Sequence, residues 1–294
     1  MRHAAEAAPR GTIAFQGMPG AYSDLACRTV RPDLASLPCV SFEDAFAAVA
    51  EGRADLGMIP IDNSVAGRVA DVHHLMPASG LHIVGEHFQR VEHQLLGPKG
   101  ATLDGVKTVR SHIHALSQCR ATLRKLGLTP VVAVDTAGAA KDVAESGDKT
   151  VAAIASRLAG EIYGLETLVE NMEDAEHNTT RFLIMSRDPG VPRNDGRKFI
   201  TSFVFRVRSV PAALYKALGG FATNGINLTK LESYMVGGSF EAAQFYVDSE
   251  GHPDERGMQH ALDELKFFSR RGTFKILGVY PAHPFRMQNQ PSDD

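Results

Sequence analysis

Cysteine is scarce in this 294-residue chain: Cys27, Cys39 and Cys119 are an odd number at scattered spacing. They build neither a disulfide framework nor a CxxC metal clip, and they fit a reducing compartment. No apolar run reaches the roughly 18 residues that a membrane-crossing helix needs. Neither sign of charge prevails, since 31 Lys and Arg face 34 Asp and Glu for a net charge of −3. That balance offers no polycation to a nucleic-acid backbone and no basic face to a membrane. Residues 1–10 are Ala-rich but interrupted by Glu6 and Pro9, so they lack the apolar core of a secretory signal. The expectation is a cytoplasmic protein with neither a nucleic-acid nor a membrane partner.

Several motifs are also missing. There is no GxSxG, P-loop, GxGxxG or HExxH, so serine hydrolase, nucleotide triphosphatase, Rossmann and zinc-protease chemistry lose their main support. Twelve histidines invite a metal reading. The pairs His73/His74 and His112/His114 do not show a common ligating face, and solvated or core histidines explain them better. A site without metal or cofactor is expected.

What is present is alternation. From residue 12 to about 187, short β-like runs (12–15, 54–61, 106–110, 131–134, 150–154) alternate with helical patterns, which argues a βαβ architecture with largely parallel sheets. The strand-like stretch 81–96 could carry the chain from one α/β lobe to another. Loops at the carboxyl ends of parallel strands form ligand crevices, beside helix N-termini that favour anions. Here those positions fall at 17–23, 62–67, Ser111–His112, Thr136 and Ser156, where small hydroxyl, amide and glycine residues recur. Helix capping is the competing explanation at each.

Residues 188–197 (DPGVPRNDGR) read as a linker. Beyond it, residues 201–207 alternate with Phe203, Phe205 and Val207 on one face. Helical stripes follow at Leu214, Ala217, Leu218, Phe221 and at Met258, Ala261, Leu262, Leu265, Phe268, with a hairpin signal at Gly237-Gly238. The order β-α-β-β-α-β is that of a ferredoxin-like unit. Residues 283–294 are polar and expected to be loose.

The most unusual stretch is His177-Asn178-Thr179-Thr180-Arg181-Phe182. Two threonines beside an arginine suit a site that holds an anion and offers a hydroxyl to a reacting oxygen. A β-strand entry with a surface charge is the plainer reading.

Four ordered motifs together resemble the prephenate dehydratase family. They are Gly17-Met-Pro-Gly20-Ala-Tyr-Ser23 (GxxGxxS), Pro60-Ile-Asp-Asn63-Ser64-Val-Ala-Gly67-Arg-Val69 (PIxNSxxGxV), Ser111-His-Ile-His-Ala115-Leu-Ser-Gln118-Cys119 (SHxxAxxQC) and Asn178-Thr-Thr180-Arg181-Phe182 (NxTRF). A fifth segment, Gly225-Ile-Asn-Leu-Thr-Lys-Leu-Glu-Ser233, is similar to the GINLTKIES of an ACT regulatory domain.

The resemblance implies an α/β fold with a two-lobed, periplasmic-binding-protein-like catalytic domain over 11–188. Its second lobe would occupy roughly 88–164, with 165–187 returning to the first. A ferredoxin-like (βαββαβ) ACT domain over 199–282 and a loose tail over 283–294 would follow. The implied reaction is decarboxylative dehydration of prephenate to phenylpyruvate in phenylalanine biosynthesis, by a carbon-oxygen lyase without cofactor. Catalytic roles would fall to Thr180, Arg181, Asn63, Ser64, Ser111 and Gln118. Substrate contacts would come from Ser23, Thr179, Asn178, Gly67 and Phe182.

Feedback by L-phenylalanine would use Ala213, Leu214, Asn224, Ile226, Asn227, Leu228, Glu232 and Ser233. Tyr234-Met235 stands where the family commonly has Arg-Pro, which puts those effector contacts in question. A homodimer or homotetramer is expected. Two other readings remain open: an arogenate dehydratase, and a two-lobed amino-acid sensing protein without catalysis.

Overall fold

The computed structural model describes residues 11–175, 177–236 and 239–288. Among them the chain divides into two compact units. One holds the residues up to Val69 together with His87–Phe182; the other holds Ala70–Glu86 and the residues from Leu183 onward.

The first unit contains two α/β lobes. In one, strand Thr12–Gln16 lies between Ala35–Cys39 and Leu56–Asn63, parallel to both. Ile13, Ala14 and Phe15 are fully buried, the continuous apolar run of a central parallel strand covered on both faces. Helices Tyr22–Val30 and Phe42–Ala50 make the crossovers, the second capped by Ser41, whose Oγ accepts from Asp44 N at 3.1 Å. The strand Thr179–Ser186 adds beside Leu56–Asn63.

The second lobe is a five-stranded sheet in the order Glu166–Val169, Gln94–Gly97, Val151–Ala155, Thr108–His112, Thr129–Ala133. Thr108–His112 is parallel to both its neighbours, whereas Gln94–Gly97 and Glu166–Val169 run antiparallel. Helices Ile113–Gln118, Arg120–Lys125, Thr136–Ser146 and Arg157–Tyr163 cover it. At two of the anticipated crevice positions capping accounts for the residue type: Ser156 Oγ accepts from Ala159 N, and the cap beside Thr136 is Asp135, accepting from Gly138 N.

Two expectations need correction. The strand-like run 81–96 is two strands, His82–Arg90 and Gln94–Gly97, separated at 91–93. The return to the first lobe begins at Thr179 and not at residue 165. Glu166–Val169 pairs with the edge of the second sheet through Gln94–Gly97, and Met172 is buried in that lobe's core.

In the second unit the sheet order is Leu228–Val236, Ser239–Glu250, Phe199–Phe205, Lys275–Pro281, each antiparallel to its neighbour. Helices Ala213–Thr223 and Arg256–Phe268 complete the β-α-β-β-α-β order. Phe203 and Phe205 meet Phe221, Leu262 and Leu265 in one apolar core, with Val207 packed against it. The anticipated turn at Gly237-Gly238 lies outside the described residues. So do residues 1–10 and 289–294.

The stretch expected to be loose is held at its start. Phe285–Gln288 is a short helix, and Arg286 grips the buried carboxylate of Glu86 with Nε at 2.6 Å and Nη2 at 2.9 Å. A charge pair supplies an anchor that polarity alone did not suggest.

Candidate active site

Strands Leu56–Asn63 and Thr179–Ser186 are neighbours, and successive residues on a strand face opposite sides. Two pairs result. On one face Asn63 Nδ2 donates to Thr180 Oγ1 at 3.0 Å. The other face brings Arg181 against Asp62, at 3.9 Å, and over the ring of Phe88, 6.0 Å from its centroid.

Asn63 cannot be turned the other way. Its Oδ1 accepts from the backbone N–H groups of Val65 (3.0 Å) and Ala66 (2.7 Å), which can only donate. Nδ2 therefore faces Thr180 and Asn178, donating to Asn178 Oδ1 at 2.8 Å. Asn178 is buried, and its Nδ2 donates in turn to Gln118 Oε1 at 2.9 Å. His93 Nε2 lies 2.9 Å from that same oxygen, and Tyr22 Oη lies 2.9 Å from His93 Nδ1. The chain of contacts thus runs Tyr22, His93, Gln118, Asn178, Asn63, Thr180. Burial pushes His93 below and Tyr22 well above their ordinary values, so both are neutral near pH 7. A cavity of about 140 Å³ borders Gln118 and Asn178, with Val65, Ser117 and Glu173 in its wall.

This arrangement can do one thing well. Thr180 Oγ1 already accepts from Asn63, so its own proton is left to donate to a bound oxygen, in a surround of neutral amides.

The sequence profile of the prephenate dehydratase family matches residues 13–190. The chain belongs to that family. A Komagataeibacter europaeus protein named bifunctional N-acyl-homoserine lactone acylase/prephenate dehydratase is 57% identical over 274 residues, covering 93% of this chain and 97% of its own. Arogenate dehydratase/prephenate dehydratase 1, chloroplastic, of Arabidopsis thaliana is 42% identical over 283 residues, 92% of this chain and 71% of its own. The solved prephenate dehydratase of Arthrobacter aurescens, in complex with L-Phe, has a TM-score of 0.84 at 28% identity, covering 96% of this chain and 92% of that one.

Within this prephenate dehydratase family chain, the residues singled out by motif separate into groups. Asn63, Gln118, Asn178 and Thr180 come together. Ser64 supports them from the backbone side, its Oγ donating to His177 O (2.7 Å) and accepting from Thr179 N (2.9 Å), which staples the start of the Thr180 strand. Phe182 shares the face of Thr180 and is buried in the core. Gly67 is exposed at φ +84, a left-handed position that suits glycine. Ser23 is buried in the first turn of helix Tyr22–Val30, and among the described residues its hydroxyl makes no bond to the amide chain.

Two other motif residues make different contacts. Ser111 was expected to donate to a substrate, but it is fully buried and its hydroxyl donates to Ile154 O at 2.6 Å, tying two strands of the second lobe together. Arg181 was expected to lend charge at Thr180, but strand alternation turns it to the opposite face.

In the second unit, Asn224, Ile226 and Asn227 line a cavity of about 460 Å³. Ala213 and Leu214 stand at the far end of helix Ala213–Thr223, roughly 16 Å away at 1.5 Å per residue. Leu228, Glu232 and Ser233 belong to strand Leu228–Val236, where Glu232 pairs with Lys230 at 3.2 Å. One copy of the chain does not gather these eight residues around a small molecule. Tyr234 is buried, its hydroxyl accepting from Gln244 Nε2 at 2.9 Å and its pKa pushed up to about 12 by burial, with the rings of His73 and His74 edge-on to it. It is a packing residue.

The motifs assign no role to Tyr22, which lies inside the first of them, to His93, or to Glu173, whose Oε2 accepts from His93 N at 2.8 Å. Each partner lies tens of residues away in sequence, and only the fold brings them together.

Proposed function

We propose that this chain is a prephenate dehydratase whose leaving-group donor is Thr180. The observation that carries the reading is the fixed direction of the Asn63–Thr180 hydrogen bond. Prephenate carries a ring carboxylate, a pyruvyl side chain and a ring hydroxyl. Its conversion to phenylpyruvate breaks the ring C–O bond, the oxygen leaving as hydroxide that solvent water then protonates, and the electrons of the C–CO₂⁻ bond flow into the ring as carbon dioxide leaves.

Threonine is too weak an acid to transfer its proton outright, so Thr180 acts by hydrogen-bond donation to the departing oxygen. The Asn63 amide, donating into Thr180 Oγ1, polarises that hydroxyl and supports charge that develops on it. Gln118 Nε2 supplies a neutral donor for a substrate carboxylate. Neutrality suits this role, because a cation fixed on the ring carboxylate would stabilise the ground state and oppose its loss. Ser64 and Thr179 hold the strand that presents Thr180.

The catalytic domain is assigned to 11–188 and the regulatory ACT domain to 199–282. The L-Phe complex of the Arthrobacter aurescens relative supports phenylalanine as effector. Because one chain separates Ala213 and Leu214 from Asn224–Asn227, a homodimer or homotetramer would supply the paired ACT surfaces for it. Free, buried Cys27, Cys39 and Cys119 support a reducing, cytoplasmic setting, and among the described residues no helix is long and apolar enough to cross a membrane. The Arabidopsis relative favours a second reading, arogenate dehydratase.

Timed incubation of purified protein with prephenate and, in parallel, arogenate decides between them, with phenylpyruvate and phenylalanine quantified with and without added phenylalanine. Rapid phenylpyruvate formation that Thr180→Ala abolishes is the expected result. Product from arogenate alone moves the assignment to the second reading, and binding of either acid without turnover favours a sensor. An N-acyl-homoserine lactone arm checks whether the other activity in the Komagataeibacter relative's name is shared.

A further inference from the structure

We propose that His93, oriented by Tyr22, is a positioning residue for the dehydratase reaction: it locks the Gln118 side-chain amide with Oε1 inward, leaving Nε2 to meet substrate. The proposal rests on the dehydratase reading given above.

The argument follows hydrogens from a fixed origin. The N–H groups of Val65 and Ala66 set Asn63, Asn63 sets Asn178, and Asn178 Nδ2 then donates to Gln118 Oε1. An amide oxygen carries no proton, so His93 Nε2, 2.9 Å from that oxygen, must carry one. In the neutral imidazole Nδ1 is then the acceptor, and it faces Tyr22 Oη at 2.9 Å, a hydroxyl whose one proton also has the Glu92 carbonyl within reach at 2.9 Å. The ring is 2% exposed and stands edge-on to Tyr22, with 5.5 Å between ring centroids. Its backbone is pinned from both sides, by Glu173 Oε2 on the N–H and by Met172 N on the carbonyl.

One acceptor site on Gln118 thus takes two donors from two directions. A flip of the amide would set Nε2 against both Asn178 Nδ2 and His93 Nε2–H, two donor–donor clashes. With Asn178 alone, a flip costs only one, since Asn178 itself is held by Asn63 Nδ2. His93 is the second clamp. Among the described residues nothing accepts from Gln118 Nε2, and Gln118 borders the 140 Å³ cavity, so the orientation that His93 enforces is the one that offers a donor to a ligand. His93 is not a proton relay to Thr180, because the three intervening amides do not shuttle protons.

The test measures kcat and KM for prephenate, or for arogenate if that is the acid turned over, on the full chain, with thermal unfolding monitored alongside. His93→Leu is expected to lower kcat/KM about tenfold, with the loss mainly in KM if Gln118 holds a carboxylate in the ground state. His93→Gln, whose Nε2 replaces the lost donor, is expected to recover to within about threefold of the parent. The deciding comparison is in the Gln118→Ala background, where adding His93→Leu is expected to change kcat/KM less than about twofold, since coupled residues are non-additive. A merely structural role predicts the opposite: an undiminished loss in that background and no rescue by His93→Gln. Either outcome overturns the proposal, as does a folded, fully active His93→Leu. Should His93→Leu fail to fold, Tyr22→Phe removes one oxygen and frees the ring; a few-fold loss that disappears in Gln118→Ala supports the proposal, and a loss that persists sinks it. A parent protein inactive on both acids removes the dehydratase reading and this proposal together, whereas an active parent with a silent His93→Leu removes only this one.

Discussion

Asn63 and Thr180 lie on neighbouring strands with the amide nitrogen 3.0 Å from the hydroxyl oxygen, and the direction of that bond is dictated by two backbone N–H groups on the far side of the amide. The hydroxyl accepts there and is left to donate elsewhere. Asn63→Asp keeps the acceptor for Val65 and Ala66 but puts an oxygen where Thr180 and Asn178 need a donor. We expect Asn63→Asp and Thr180→Ala each to reduce kcat by at least about 10²-fold, and Thr180→Ser to stay within about tenfold of the parent. Steady-state rates of phenylpyruvate formation check this; an Asn63→Asp variant near parental activity would remove the polarising role.

Ser111 and Gln118 sit in the same motif and took different fates. We expect Ser111→Ala to lower stability by about 1–2 kcal/mol, because Ile154 O loses its buried donor, while kcat/KM stays within about threefold. A large loss of turnover at unchanged stability would return Ser111 to the substrate.

Much of this site was legible in the sequence. Three spaced motifs named Asn63, Gln118, Asn178 and Thr180 through their resemblance to the prephenate dehydratase family, whereas strand-end reading alone reached only Asn63. The β-α-β-β-α-β order of the second unit was equally plain, since its apolar periodicity switches cleanly between strand and helix. Strand alternation could have separated Arg181 from Thr180, as neighbours in a strand cannot face one site. The contacts of Tyr22 and His93 were beyond reach, because they join residues 71 and 25 positions apart through the packing of two lobes. The Ser111–Ile154 bond was hidden for a related reason: which face of a parallel strand is buried by helices is a tertiary fact.

Acid should weaken the fold. Burial lowers the pKa of His93, of His112 and of His283 below the ordinary histidine value. The native state therefore binds fewer protons than the unfolded chain, in which histidine titrates near about 6.5. Stability is full above that value and falls as pH drops through it toward the lower native pKa values. Urea midpoints between pH 5 and 8 should decline on the acid side, and His93→Gln should flatten the slope; a slope unchanged in that variant would assign it to other groups.

Arg286 should be a stability residue. It grips Glu86, whose carboxylate is fully buried, and stands 3.8 Å from the buried Asp248, which also accepts from Tyr246 Oη at 2.7 Å. Arg286→Ala strands a buried charge and is expected to cost about 3–5 kcal/mol, whereas Arg286→Met with Glu86→Met should recover most of it. Urea denaturation followed by circular dichroism reads both. A loss under about 1 kcal/mol in the single variant would show that water reaches the carboxylates once the arginine is gone.

Gly20 tests how tightly the two lobes of the first unit are keyed together. It has φ +89, and a Cβ built there would lie 2.7 Å from the Cα and 2.9 Å from the Cβ of Ala159, at the start of helix Arg157–Tyr163. Its carbonyl accepts from Ser156 Oγ, and the neighbouring Pro19 carbonyl accepts from Tyr163 Oη at 2.9 Å. A methyl group therefore meets backbone that cannot rotate away, on top of the strain of a left-handed L-residue. The expected response to Gly20→Ala is a loss of at least about 2 kcal/mol together with a fall in kcat/KM, since Tyr22 begins the amide chain only two residues on. Gly67→Ala is the control: it carries the same backbone sign, φ +84, with nothing within 4 Å of the added atom, so it bears the conformational cost alone, about 1 kcal/mol. If the two variants proved equally stable and equally active, the close approach at Ala159 would have no energetic consequence and the lobes would be free to separate at that contact.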